Sequence, residues 1–439
     1  MLRSGSGRPR FAGAVALTYG ASVGGSVLSL GSVLITSRAL GPSGRGTVVF
    51  LTTVAMLTAQ LATLGVEEAA ANLAGSRPGL RGGVATNALL LAAVLGIVGA
   101  AVVAGLIALV PHIGGHTSAS LRWLALGAIP VLILQYSLQF LARADYAYAI
   151  ANASTLVGPL VNVAVNGLLY ALGLITVGTA LATWVVGQVI ATGWLVAYVA
   201  KRLGGFGRPD ARLARGMLAF GIKAHGGRVM MTGNYRLDQW ILGAIAGPRE
   251  LGLYSVAVAW TQVLFFLPDA LSLVLRPDLI RASAREAGRR TAAVFRAAML
   301  LTLPLVVGTV LAAPILCVTV FGPSFRGSID DLRVLATGAF GMVALKVIAN
   351  ALLAQGRPML NNIAIAIAFA VTLGLDILLI PSHGGLGAAI ASTASYTSGG
   401  IAASVICTRS LSVGLRDLIP RVSDLRRMLR SAGPAHELG

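Results

Sequence analysis

Long apolar runs separated by short basic stretches dominate the chain. Runs able to cross a bilayer, which takes roughly 20 residues, fall near 11–36, 47–73, 84–110, 121–142, 150–172 and 177–200. The basic stretch KRLGGFGRPDARLAR (201–215) follows, and six more runs lie near 217–246, 250–275, 293–317, 332–354, 360–380 and 385–408. The pattern predicts an all-α polytopic membrane protein with twelve transmembrane helices in two sets of six. The first run, Phe11 to Thr36, exceeds the roughly 7–15-residue core of a cleavable signal, so it reads as the first span. Every connecting loop is short, so any chemistry has to occur within the helix bundle or at its rims.

Composition agrees. The chain is 56% hydrophobic, 11% charged and has a mean hydropathy of +0.82, whereas a soluble domain carries about 25% charged residues. The net charge of +19 raises the question of nucleic acid, and the placement of the charges answers it. Of 34 Lys and Arg residues, 24 fall on the side of the N-terminus, six on the opposite side and four within spans. That asymmetry follows the positive-inside pattern and places both termini in the cytoplasm, with the protein in the cytoplasmic (inner) membrane. The excess charge is topological, and nucleic acid is not implied as a partner. Cys317 and Cys407 sit in apolar runs as small core residues, with neither a disulfide framework nor metal-ligand spacing.

No phosphate-cradling GxxxxGK[ST] loop occurs. His112 and His116 are four apart, but the glycines between them point to a loop. Paired carboxylates or a Ser/His/Asp arrangement are also lacking. The reading is therefore not an enzyme, with no cofactor and no metal.

The two sets of helices repeat one another. ALGPSGRGTVVF (39–50) and IAGPRELGLYSV (245–256) align Gly41, Pro42 and Gly46 with Gly247, Pro248 and Gly252 at one offset. TLGVEEAA (63–70) and FLPDALSL (266–273) each place a helix-weakening residue, Gly65 or Pro268, beside acid. FLARADYAYAIANAS (140–154) parallels LLAQGRPMLNNIAIA (352–366). The organisation expected is an N-terminal six-helix lobe over 1–208, a C-terminal six-helix lobe over 209–410 and a basic tail over 411–439. In the tail, LSVGLRDLIPRVSDLRRMLR (411–430) reads as an amphipathic helix on the anionic inner leaflet. Duplicated halves are a common transporter plan.

These motifs resemble the polysaccharide-transport flippases of the multidrug/oligosaccharidyl-lipid/polysaccharide exporter superfamily. The turn after the first span carries the resemblance, as do LDQWILGAIAGPRELGLYSVAVAWTQVLFFLPDAL (237–271) and LGLDILLIPSHGGLGAAIASTASY (373–396), and it extends from about 15 to 405. Asp376 stands where that family often has Asn. The resemblance implies two six-helix lobes around a central cleft. It also implies alternating access and the transfer of lipid-linked oligosaccharides or polysaccharide repeat units, usually on undecaprenyl diphosphate, to the outer leaflet. Partners would be the lipid-linked glycan, membrane lipids, and a glycan polymerase or glycosyltransferases. The alternatives are a cation-coupled drug exporter of the same superfamily, a lipid II flippase, and a non-transporting partner of a glycan polymerase.

Candidate residues follow from charge inside spans, which costs at least about 2.5–3.5 kcal/mol per residue and persists where a wet cavity or a partner exists. Segment 217–246 holds Lys223, His225, Arg228, Arg236 and Asp238. On a helical wheel, Lys223, Asn234 and Asp238 fall within about 60°, and His225, Arg228 and Arg236 within about 80° on a second arc. Two arcs call for a helix that is interior on more than one side or is broken at Gly226, Gly227 and Gly233. Arg228, with Arg236 and Lys223, is expected to line the cleft and bind the diphosphate–sugar headgroup, because the guanidinium fork donates two hydrogen bonds at once. Lys346 is either a cleft cation or the buried partner of an Asp. Asp376 either pairs with Lys346 or binds a coupling cation. Asp269 marks a hinge or gate at Pro268, or an ion pair with Arg276 or another cation. Asp238 either takes part in ion coupling or gating, or neutralises Arg236 or a neighbouring helix. Glu67 and Glu68 read as solvated residues near a helix end.

Overall fold

The computed structural model describes residues 11–420 apart from 115, 116 and 412. Among the described residues all regular structure is helical: α1 (Phe11–Ala62), α2 (Val66–Ser76), α3 (Arg81–Leu109), α4 (Ala119–Gly127), α5 (Ile129–Ala144), α6 (Tyr148–Ala171), α7 (Val177–Arg202), α8 (Ala211–Ile245), α9 (Pro248–Leu264), α10 (Phe266–Arg281), α11 (Ala284–Pro314), α12 (Ser328–Thr337), α13 (Ala339–Ala354) and α14 (Pro358–Ser410). Nine helical segments among the described residues are long and apolar enough to cross a membrane. The polar content of α8 keeps it out of those nine.

The helices bend and break where the sequence weakens them. α1 bends at Gly41, whose φ is 65°, just before Pro42. α14 bends at Gly384, three residues past Pro381. The apolar segment 47–73 is interrupted after Ala62, where Leu64 and Gly65 both take positive φ. Gly65 is required there, since a Cβ on it would stand 2.3 Å from the Gly221 carbonyl oxygen. Segments 121–142 and 250–275 each divide in two, and Pro130 and Pro268 fall in the first turns of α5 and α10. Proline is tolerated there because the first-turn N–H groups have no intrahelical acceptor. α8, by contrast, runs unbroken through Gly226, Gly227 and Gly233.

Two compact units divide within α9, at Ser255 and Val256. In the first, α1 packs on α6, α6 on α7, and α5 on α2, α3 and α7, while α8 lies against α1, α2 and α3. The second is built on α13 and α14, with α10, α11 and α12 around them. Its core is rich in small residues, among them Ala287, Ala292, Ala298, Ala351, Ala364 and Ala403. Small side chains let helices approach closely where lipid supplies no hydrophobic drive for association. Cys317 and Cys407 are buried free thiols.

The two Gly-Pro turns share more than sequence. Gly41 and Gly247 both adopt positive φ, 65° and 88°. A Cβ on Gly46 would lie 1.6 Å from the carbonyl oxygen of Pro248, and one on Gly252 would lie 1.9 Å from that of Pro42. The repeated motifs therefore touch each other reciprocally, each glycine receiving the proline of the other copy.

The tail helix expected over 411–430 lies mostly outside the described residues. Within them, Leu415–Leu418 form a single 3-10 turn, and an Arg296 guanidinium donates to the Asp417 carbonyl.

Candidate functional site

The stretch of α1 past its bend and the part of α8 from His225 onward run side by side in the first unit. Thr53 Oγ1 is 3.4 Å from Gln239 Oε1, and a Cβ on Gly243 would meet the ring of Phe50. Towards the other end, His225 Nε2 lies 3.2 Å from the Leu61 carbonyl and Gly221 abuts Gly65. This pairing decides where the polar residues of α8 go.

Lys223 is exposed and His225 is buried on the seam with α1. Arg228 is held by acid from α2: its guanidinium pairs with Glu68, and its Nε is 3.6 Å from Glu67 Oε1. It also lies 4.8 Å from the centre of the Phe140 ring. Glu67 is only 1% exposed, so it is not the solvated residue expected.

Arg236 sits in the field of Asp238 and of the Tyr136 hydroxyl. It makes no salt bridge within 4.0 Å among the described residues. Asp238 is buried and accepts a hydrogen bond from the Tyr254 hydroxyl at 2.5 Å. Arg45, which reads from the sequence as an outer-loop residue, lies on α1 just past its bend and within electrostatic reach of Arg236. Arg45 donates to Thr36 Oγ1 at 3.2 Å, its Nε is buried without a partner, and among the described residues it has no carboxylate salt bridge. The first unit thus places two arginines within electrostatic reach of each other, and among the described residues neither makes a salt bridge to a carboxylate.

In the second unit Lys346 and Asp269 form an ion pair, with Nζ 2.6 Å from Oδ2. The Lys346 ammonium stands 5.5 Å from the Phe265 ring centre, and Phe265 meets Tyr396 edge-on. The pairing of Asp376 with Lys346 is not formed. Asp376 is fully buried on α14, while Lys346 is committed to Asp269.

Sequence reasoning missed Glu67, Phe140, Arg45, Tyr136 and Tyr254 as neighbours of the charged residues. For Glu67 a signal existed: a carboxylate two residues after a glycine that breaks an apolar helix. For Arg45 and Tyr136 there was none, because their neighbour on α8 is distant in sequence.

Solved structures with the same fold include an inward-facing multidrug resistance MATE family transporter of the MOP superfamily, 15% identical with a TM-score of 0.68, which covers 88% of this chain and 94% of that chain. The lipid II flippase MurJ in an inward closed conformation is 12% identical with a TM-score of 0.76, over 94% of this chain and 91% of that one. A MOP superfamily transporter from Pyrococcus furiosus, described by the reverse polarity of its binding pocket, is 13% identical with a TM-score of 0.61, over 92% and 97%. No curated protein matches the chain. The profile of the family described as "Polysaccharide biosynthesis protein" matches residues 35–330, and this multi-pass membrane protein with a MOP-superfamily transporter fold belongs to that family.

Proposed function

We propose that this membrane transporter flips a polyprenyl-diphosphate-linked oligosaccharide or polysaccharide repeat unit from the inner to the outer leaflet of the cytoplasmic membrane, by alternating access and with both termini cytoplasmic. The observation that carries the reading is the pair Arg45 and Arg236. Like charges in a span are costly, and two guanidiniums without a bridging carboxylate gain most from a dianionic ligand. A diphosphate supplies two adjacent anionic groups, each matched to a bidentate guanidinium.

Arg228, Lys223 and Lys346 serve the same headgroup as further cations along its path. Asp238, Asp269 and Asp376 are the candidates for ion coupling or gating. Of these, Asp269 best fits a gate, since it sits beside Pro268 at the break between α9 and α10 and holds Lys346. Twelve crossings result if each bent helix, α1 and α14, crosses twice and α8 crosses once. The repeats then correspond to 1–208 and 209–410, followed by the basic tail 411–439. A glycan polymerase or glycosyltransferase acting on the flipped unit would be the partner.

The test is the sidedness of lipid-linked oligosaccharide in cells depleted of the protein. Inner-leaflet accumulation should be relieved by wild type. Relief should fall about ten- to a hundredfold with Arg236→Gln or Arg45→Gln, as for the loss of roughly 1.5–3 kcal/mol of charge-assisted hydrogen bonding. Full relief by both variants at normal abundance would remove these arginines from the site, and unchanged sidedness on depletion would remove the flippase reading.

A further inference from the structure

A second feature of the first unit lies away from Arg45 and Arg236. The N-terminal half of α1, the start of α6 and the last turn of α5 line an open cavity of about 220 Å³. That is room for about seven waters at ~30 Å³ each, and less than the roughly 300–1,000 Å³ of a pocket for a drug-sized ligand. Its volume suits one sugar ring, and its open side leaves the rest of a glycan outside.

Its wall is hydroxyl-rich. Ser22, Ser26 and Ser29 line it from one face of α1, with Asn152 and Thr155 from α6 and Arg143 from α5. Part of the wall is internally bonded. Asn152, 4% exposed, donates from Nδ2 to Thr18 Oγ1 at 3.0 Å. Thr155 Oγ1 donates to the Asn152 carbonyl at 2.7 Å, and Ser22 Oγ to the Thr18 carbonyl at 3.0 Å.

Three polar side chains of the wall, half-buried Ser26 and Arg143 and exposed Ser29, are not bonded to other described residues of the protein. Among the described residues the Ser26 and Ser29 hydroxyls have no hydrogen-bond partner. Among the described residues the Arg143 guanidinium, with five N–H donors, likewise has neither a hydrogen bond nor a salt bridge. Its neighbours are the Phe140 ring, 5.6 Å from the guanidinium carbon, the repelling charge of Arg228 and the attracting hydroxyl of Tyr148. Phe140 therefore separates a cation satisfied by Glu67 and Glu68 from one that is not.

One unsatisfied cation beside a bank of neutral donors and acceptors matches a ligand with one phosphate and several hydroxyls. We propose that this cavity takes the phosphate-bearing first sugar of the lipid-linked glycan, the phosphate on Arg143 and the ring hydroxyls against Ser26, Ser29 and Asn152. The assignment rests on the flippase reading above and adds to it a docking subsite for the headgroup, separate from Arg45 and Arg236. The same chemistry is offered by a polyol-phosphate membrane lipid, so the test has to separate the two sources.

The experiment uses the full chain in nanodiscs of phosphatidylcholine and measures binding of glucose 1-phosphate, glucose and inorganic phosphate by ligand-observed NMR. Glucose 1-phosphate should bind about tenfold tighter than either inorganic phosphate or glucose, as expected when charged and neutral hydrogen bonds act together. Arg143→Gln, which removes the charge, and Ser26→Val, which fills the cavity without changing charge, should each lose that advantage at unchanged thermal stability. Arg143→Lys, which keeps the charge, should retain part of it and covers the case in which Arg143→Gln does not fold.

Equal binding of glucose 1-phosphate and inorganic phosphate overturns the subsite, and so do variants that bind as wild type does. Nanodiscs containing phosphatidylglycerol supply the second arm. Displacement of glucose 1-phosphate by that lipid assigns the cavity to membrane lipid and overturns the glycan assignment, and retained binding supports it. None of these readouts requires translocation. A failure here with normal sidedness in cells removes the subsite alone, whereas the flippase reading falls only with the sidedness experiment.

Discussion

The reciprocal contact of the two Gly-Pro turns gives the sharpest structural prediction. Replacing Gly46 by alanine puts a Cβ 1.6 Å from the Pro248 carbonyl oxygen, 2.6 Å from its carbon and 2.8 Å from the Gly252 nitrogen. Reaching even 3.0 Å from that oxygen requires the turns to part by about 1.4 Å. The obstructing atoms are backbone on both sides, so no rotamer change relieves them. Overpacking costs about 1–3 kcal/mol, and the upper end applies here. At about 2–4 °C per kcal/mol for a unit of this size, Tm should fall by about 6–12 °C. Differential scanning fluorimetry on the purified protein measures it, with Gly20→Ala as control, since a Cβ there meets nothing within 4 Å. Gly252→Ala should behave like Gly46→Ala. The double variant should fall by less than the sum, because one separation relieves both clashes at a shared crossing. An unchanged Tm for Gly46→Ala, or strict additivity in the double variant, would refute the reciprocal packing.

Two further substitutions follow from the charge geometry. Asp269→Asn should destabilise more than Lys346→Met, about 2 against about 1 kcal/mol. The first strands an ammonium whose side chain is 15% exposed and the second leaves a carboxylate 44% exposed to solvate itself; equal Tm shifts would contradict this. Tyr254→Phe removes a donor from the buried Asp238 and should cost about 2 kcal/mol, read as a fall in Tm that Tyr254→Phe no longer produces in an Asp238→Asn background.

How far the sequence carries can be judged on α2 and α8. The break in the second apolar segment is legible because Gly65 is the weak point of an otherwise helix-forming run, and Pro130 and Pro268 mark two further breaks. The glycines of α8 point the other way, to a break that does not form. A glycine inside a helix costs only about 1 kcal/mol, while an open backbone in lipid leaves polar groups that each cost several, so the helix closes through all three. The partners of the α8 charges are not legible, because a helical wheel gives direction around one axis and says nothing of which distant helix lies there. That limit bears on the test of Arg228. Its partners are 160 and 161 positions away, and Glu67 is 1% exposed with Oε2 buried and unpartnered. Removing Arg228 alone leaves that carboxylate without a cation and, among the described residues, with only the Gln60 amide donating to it, at 3.4 Å, a cost of about 3 kcal/mol for a pair buried on one side. Arg228→Gln should therefore lose thermal stability and abundance before any loss of transport can be interpreted. Neutralising both partners, Arg228→Gln with Glu67→Gln, should restore most of the stability, and transport measured in that background reports what Arg228 contributes to the headgroup. A normal Tm for Arg228→Gln alone would mean that the α2 acids do not depend on it, and a transport defect in the single variant could then be assigned to substrate directly.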